Sequence, residues 1–418
     1  MKLTELFFKS TNQDYSDLRL SERYLRKGGF IQKYIDGRYY FLPLGILVFN
    51  KTLSLLRKHM NNIGAQESTI PLFHSNNLRS ESGREYIDEQ FVNNLSDHDG
   101  NIFNLAASPE EMYINLIRQY ALSASDLPII FFQFGKKFRD EDHTRYLLRL
   151  KEFTMMDAYS FHSSQKNFNE TYEIISHTYI SFFNKLNLQA KKVCSFNGLA
   201  VGASAHEFIF DSSVGESSYL EADDGSYIAH TDVAKFRQDS MGNYFSMDGK
   251  KIIMKNGIEL GNIYQLGYYF TSKMNNATFT NNNSKKTKFY MGAYSIGIER
   301  LIASVVEKNH DDKGIVWPSC ISPFSVYIVS VVGNEALAEK ICNNLNKKMD
   351  VLYDDRKDIL FNKKMDDACI IGIPYIVILN KKDTEKKLCT ILFRNNFKKV
   401  QLPLDKISDY LSKLVTKN

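Results

Sequence analysis

The sequence predicts a mixed helix-and-strand chain that ends in a separate α/β domain. Three observations carry this. The chain has 418 residues, 43% hydrophobic, 24% charged and 13% aromatic, which suits two or three globular domains and excludes disordered, collagen-like and disulfide-miniprotein classes. Strands and helices follow in mixed order up to Trp317-Pro318. Beyond that point they alternate, as in an α/β domain of about 100 residues. The boundary is placed at 318/319, giving domains 1–318 and 319–418, and no internal repeat interrupts either.

The first strong element is a helix over 44–64. Ile46, Phe49, Leu53, Leu56, Met60 and Ile63 recur at spacings of one helical stripe, and Gly64 reads as a C-terminal cap. Before it, 37–43 is extended and ends on proline. After it, 67–71 is an edge strand, because Pro71 cannot donate to a central ladder. Residues 110–122 form a helix. Ile129 to Phe138 is an apolar and aromatic strand that runs into Arg139-Asp140-Glu141-Asp142. A return strand contains Glu152 to Met156, so the two make a hairpin. Residues 166–187 form a long amphipathic helix. The stretch 212–256 is polar and rich in Gly, Ser and Asp, either a surface excursion or a small subdomain. Residues 275–288 are a hairpin tip. From Ser295 a glycine-spaced turn enters a helix through Val306.

In the tail, Val326 to Val332 is a β-branched strand and Glu335 to Lys347 a helix. Val351 to Tyr353 is a strand, 361–370 a helix, and Tyr375 to Leu379 and Leu388 to Phe393 are strands. Ile407, Tyr410, Leu411 and Leu414 mark a last helix.

No apolar run reaches the ~18 residues of a membrane span. The N-terminus lacks the long apolar stretch of a signal peptide. Five cysteines are scattered with no Cys-x-x-Cys, which argues against a zinc ribbon or disulfide frame and for the reduced cytoplasm. Net charge is +5. Residues 320–418 hold 17 Lys and Arg against 12 Asp and Glu, so the whole surplus lies in the tail. That is compatible with a polyanion partner, and equally with solubility alone.

Four constellations can carry chemistry. Arg139 and Glu141 end a strand, with Arg149, Phe153 and Asp157 following. Such an arginine can fork onto phosphate or carboxylate, and the phenylalanine can stack a flat base; a surface salt-bridge hairpin would look the same. Tyr294 to Leu301 puts small residues before a helix and Arg300 in its first turn, which suits a polyphosphate or merely a tight turn. Ala106 to Met112 reads as a helix start, with Ser108 as N-cap and Pro109 at N1. In Gly257 to Gly267, alternation places Glu259, Gly261, Ile263 and Gln265 on one strand face, where a carboxylate could hold magnesium or face solvent. None decides separately, but their order does.

That order resembles motifs 1, 2 and 3 of class II aminoacyl-tRNA synthetases. The spelling resembles prolyl-tRNA synthetase of the bacterial type: Gly37 to Gly45, Glu81-Ser82-Gly83-Arg84, Lys137 to Glu141, Asp157 to Phe161, His206-Glu207-Phe208, Gly257 to Gly267 and Asn309 to Pro318. The tail, with Leu352 to Arg356 and Ile371 to Pro374, is similar to that family's anticodon-binding domain. The resemblance implies an α+β catalytic core, an antiparallel sheet flanked by helices, with the α/β anticodon-binding-like domain appended. It implies ATP-dependent activation of proline to prolyl-adenylate, then transfer to tRNA, by a cytoplasmic homodimer paired through motif 1.

By the same resemblance, Arg139 bridges the α-phosphate and the amino-acid carboxylate, Glu141 meets the adenine amine and Phe153 stacks adenine. Arg149 and Arg300 neutralise the β- and γ-phosphates. Arg139 and Arg300 are thereby the catalytic pair. Glu259 lies near ATP and Mg2+. Ser108 and Glu110 hold the proline imino group, Tyr264 lines the proline pocket, and His206 falls in a family motif near the amino acid.

Several positions depart from the family pattern. Gly-Pro-Thr becomes Ala106-Ala107-Ser108. The motif 2 loop begins with Tyr146 where the family has glycine. Asn262 replaces histidine, Ser295 replaces glycine, and Glu299 replaces a small polar residue. The tail lacks the second arginine and the glycine after Asp354-Asp355-Arg356. Only 212–256 stands where many relatives carry an editing insertion, so editing in cis is expected to be absent. Two other readings stay open: a paralogue that adenylates proline or another amino acid for a carrier protein or small molecule, and a non-catalytic module that kept the fold.

Overall fold

The computed structural model describes residues 1–8, 15–84, 94–105, 108–196 and 204–417. Its centre is an eleven-stranded, largely antiparallel sheet. The apolar run Ile129–Phe138 pairs with Glu152–His162 in an antiparallel hairpin, from Ile129 against Phe161 to Phe138 against Glu152. Tyr290–Gly297 lies antiparallel beside the second arm, and Lys251–Gly267 beside that. The long strands follow from β-branched and aromatic residues on a half-buried pleated surface.

One sheet face is covered by helices. Gln165–Lys185 buries Phe168, Tyr172, Ile175, Tyr179, Phe182 and Phe183, and Ile298–Lys308 and Pro43–Asn62 pack against the same apolar cluster. The helix Pro43–Asn62 begins on Pro43, whose missing N–H is no loss in the first turn. It ends as predicted: Gly64 takes φ +78° and the Ala65 N–H returns to the Met60 carbonyl. Its buried stripe is Leu44, Val48, Leu56 and Met60. Of the predicted stripe, Phe49, Leu53 and Ile63 lie only half-buried against the core and Ile46 is 42% exposed. The helix is apolar on two faces, and period alone could not say which one the core takes.

The 212–256 stretch folds as short hairpin strands, Ser217–Ala222, Ile228–His230, Phe236–Gln238 and Tyr244–Ser246. The first and last pair with the outer half of Lys251–Gly267 and so extend the main sheet. The predicted turn at Ser295 is corrected: Ser295 lies within Tyr290–Gly297, and the helix starts only at Ile298.

The tail has a five-stranded sheet of its own. Val326–Ser330 and Val351–Asp354 run parallel, as do Val326–Ser330 and Tyr375–Leu379; Leu388–Phe393 and Lys399–Pro403 add antiparallel strands. One apolar cluster belongs to this sheet alone. The main cluster, however, runs across the junction through Ile315, Trp317, Ile321, Tyr327, Ile371 and Ile376. Polar contacts reinforce the seam. Trp317 Nε1 donates to the Ile371 carbonyl at 3.0 Å, and the fully buried Arg394 grips Asp311 with both terminal nitrogens. Among the described residues no helix is long and apolar enough to cross a membrane, and all five cysteines are free.

Candidate active site

The sheet face opposite the helices forms the floor of a cavity of about 410 Å³. Strand alternation selects its lining. Phe153, Met155, Asp157 and Tyr159 come from one strand, Ala293, Ser295 and Gly297 from the next. Asn262, Tyr264 and Leu266 come from the third.

Glu259 joins them only through a β-bulge. Phe208 pairs with Gly261 but Ile209 pairs with Glu259, so Leu260 is an extra residue. The phase slips by one, and Glu259 and Asn262 share a face, with Asn262 Nδ2 donating to Glu259 Oε1 at 2.8 Å. The predicted alternation is therefore corrected: Ile263 sits in the main core and Gln265 is buried away from the cavity. Gly261 is forced by packing, since a Cβ there would lie 2.6 Å from the Ser295 carbonyl oxygen.

Nine of the ten sequence-predicted site residues line this one cavity: Ser108, Glu110, Arg139, Glu141, Arg149, Phe153, Glu259, Tyr264 and Arg300. Arg139 continues the face of its strand and lies 5.5 Å from the Phe153 ring centre. Arg149 bonds Glu141 at 3.3 Å and Glu216 at 3.0 Å. Arg300, third in its helix, donates to Glu259 Oε2 and to the Leu148 carbonyl, both at 2.8 Å. Burial alone would raise the Glu259 carboxyl; Arg300, Asn262 and Arg139 hold it below its ordinary value.

The tenth, His206, is corrected. It does not line the cavity. Its Nδ1 lies 2.7 Å from the Tyr172 hydroxyl on the Gln165–Lys185 helix, and burial pulls its pKa down to about 4. The described contacts of His206 are with Tyr172 on that helix, by hydrogen bond and ring edge.

Ser108 is not a side-chain N-cap. The cap position is Pro109, and the helix is Glu110–Ile117. Ala106 and Ala107 lie outside the described residues, as do Val201 to Ala203 of the His206 motif. Ser108 instead takes a 3.4 Å contact from Arg84 Nη2.

Arg84 is the residue that sequence reasoning missed. It is buried, and its Nη1 lies 3.1 Å from Glu110 and 3.4 Å from Glu111. Burial would raise both acids; beside Arg84 and Ser108, Glu110 is nonetheless held below its usual range. Glu111 is pushed up, by burial first and then by Glu110, with Arg84 opposing. The only sequence signal for Arg84 was its place at the end of Glu81-Ser82-Gly83-Arg84.

Two departures from the family pattern meet each other. Ser295 Oγ donates to Asn262 Oδ1 at 2.8 Å, so the two replacements form one hydrogen-bonded pair beside Glu259. Glu299 turns inward, accepting the Thr154 N–H at 2.8 and 2.9 Å. Tyr146 keeps a left-handed backbone at φ +48° although it is not glycine, which is strained for a bulky residue.

Fold and cavity together define a class II synthetase core carrying an anticodon-binding domain. Residues 93–309 match the family described as tRNA synthetase class II core domain (G, H, P, S and T), and residues 325–414 match the anticodon binding domain. The proline–tRNA ligase of Ehrlichia chaffeensis is 31% identical over 429 residues, covering 99% of this chain and 100% of that one. That of Sulfurimonas denitrificans is 31% identical over 437 residues, with 99% and 100% covered. The crystal structure of prolyl-tRNA synthetase from Cryptosporidium parvum, complexed with halofuginone and AMPPNP, superposes with a TM-score of 0.76 at 17% identity, covering 95% of this chain and 77% of that one. The chain belongs to the proline–tRNA ligase family.

Proposed function

We propose that this chain activates proline with ATP and transfers the prolyl group to tRNA. The observation that carries the reading is a single cavity in which Ser108 and Glu110 stand beside Arg84, while Arg139 stands beside Phe153 and Glu259. A carboxylate held ionised is what a secondary ammonium needs, and an arginine is what the reacting carboxylate and α-phosphate need. Full-length likeness to proline–tRNA ligases supports tRNA as the acceptor over a carrier protein or small molecule.

In the first step a proline carboxylate oxygen attacks the α-phosphorus; a new O–P bond forms as the bond to pyrophosphate breaks. In the second, the terminal ribose hydroxyl of tRNA attacks the activated carbonyl and AMP leaves. The protein positions and neutralises charge and forms no covalent intermediate. Glu110 and Ser108 take the ammonium, with Tyr264 against the ring. Arg139 spans carboxylate and α-phosphate. Phe153 stacks adenine and Glu141 accepts from its amine. Arg149 and Arg300 exchange their present carboxylate partners for the β- and γ-phosphates.

The donor set suits Mg2+. Glu259 offers carboxylate oxygens in the cavity lining, and a cation beside them would replace the charge that Arg300 withdraws on turning to the phosphates. Among the described residues no group of three or more His, Cys, Asp or Glu could hold a metal; magnesium bound to substrate phosphates needs only one or two carboxylates. Glu259 would hold the ion, which would offset phosphate charge.

The finer parts of the reading are a cytoplasmic homodimer paired through Pro43–Asn62, the anticodon end of tRNA on the positive tail, and the division at 318/319. The exposed Ile46 supports the first and the separate tail sheet the last. The test is ATP–pyrophosphate exchange across all amino acids, then charging of total tRNA. Exchange with proline and prolylation of tRNA are expected. Exchange with another amino acid and not with proline would overturn the proposal.

A further inference from the structure

We infer that Asp157 is a second carboxylate receptor for the substrate ammonium, facing Glu110 across the amino-acid end of the cavity; this rests on the function proposed above. Asp157 is 2% exposed and lines the cavity. Its Oδ2 is fully engaged, accepting from Gln133 Nε2 and from the buried Lys137 Nζ, both at 3.1 Å. Its Oδ1 is buried and has no hydrogen-bond partner. A buried carboxylate oxygen left unpaired is costly, and an N–H donor from a ligand removes that cost.

The chemistry of the surroundings selects the donor. Glu110 lies close enough for its charge to act on Asp157, and the hydroxyl of Tyr159 lies in the field of both acids. Two carboxylates that line one cavity repel when it is empty and are relieved by a cation between them. Arg84 and Lys137 already engage one side of each acid. The remaining sides suit a small cation with two N–H groups, which is the secondary ammonium of a cyclic amino acid. Asp157 then favours proline over a ring of equal size that lacks N–H donors.

The experiment is proline-dependent ATP–pyrophosphate exchange in the full chain and in Asp157→Asn. The readouts are the KM values for proline and ATP and the inhibition constant of tetrahydrofuran-2-carboxylate, which carries oxygen in place of the ammonium. Losing a charge-assisted contact should raise the proline KM by about tenfold or more, leave the ATP KM unchanged, and leave or improve inhibition by the oxygen analogue. Should Asp157→Asn not fold, Lys137→Met with Asp157→Leu removes both buried charges at similar volume, a replacement that buried ion pairs commonly tolerate, and the same pattern is expected. An unchanged proline KM, or proline and analogue weakened equally, would overturn the inference. Absence of proline activation in the unaltered chain would overturn the proposed function instead, and this inference with it.

Discussion

The cavity and the tail use arginine in opposite ways. In the cavity, Arg139, Arg149 and Arg300 line open space and hold partners, such as Glu259 and Glu216, that are themselves half-exposed. In the tail, Arg356 is consumed by the fold: it bonds Asp354 at 2.7 Å and Asp367 at 2.8 Å, two buried acids of its own domain. Arg394 is spent on Asp311 at the seam. A motif arginine in the core therefore faces the cavity, whereas its tail counterpart is locked into packing. The +5 surplus of the tail must meet any polyanion through its lysines.

The largest effect expected separates the halves by pH. His74 and His162 are buried in the core at 5% and 0% exposure, and burial brings both to about 4; residues 320–418 contain no histidine. Their folded pKa lies below the unfolded value of about 6.5, so the unfolded chain binds protons first. Stability is whole above pH 6.5 and falls toward pH 4, by about 3 kcal/mol for each histidine at full protonation. Hydrogen exchange followed from pH 7 to 4 should show core strands losing protection before the tail sheet. Equal loss in both would break the contrast.

Next in size, Arg300→Ala should cost about 2–4 kcal/mol of transition-state stabilisation in exchange while leaving the melting temperature nearly unchanged. A near-normal rate would remove Arg300 from the site. Arg356→Ala should do the reverse. Its loss leaves Asp354 buried without its cation and Asp367 with Lys363 alone, at a cost of about 2 kcal/mol in stability, reduced from the fully buried case by partial exposure. Exchange below the melting transition should hold. Abolished tRNA charging with an unshifted melting curve would show that Arg356 reads tRNA after all.

The smallest effect belongs to His206→Phe. It loses the contact with Tyr172, worth about 1 kcal/mol, and should leave the proline KM where it was. A raised proline KM with an unshifted melting curve would return His206 to the site.

Much of this was legible beforehand. The strand Ile129–Phe138 and the helix Gln165–Lys185 announce themselves by composition and period, and the order of charged motifs placed nine residues in one cavity. What escaped has a common cause: it depends on partners distant in sequence. The bulge at Leu260 breaks a period of two that any alternation count assumes. Arg84 matters because Glu110 and Glu111 fold beneath it, 26 and 27 residues away. Asn262 and Ser295 read as two separate losses, and only the sheet shows them as a pair. Asp367 captures Arg356 from a neighbouring helix, which no motif comparison reveals.

The seam between the halves has a consequence for how the protein is made. A chain emerging from the ribosome completes the site, through Arg300, before residues 369–394 appear. Until they do, Asp311 lacks its arginine, Trp317 Nε1 lacks its carbonyl, and the apolar surface around Ile315 and Ile321 stays wet. The nascent core therefore carries an adhesive edge that only its own C-terminus covers. A product truncated near residue 320 would hold every cavity residue and still leave that apolar edge uncovered, the kind of surface on which chaperones and proteases act.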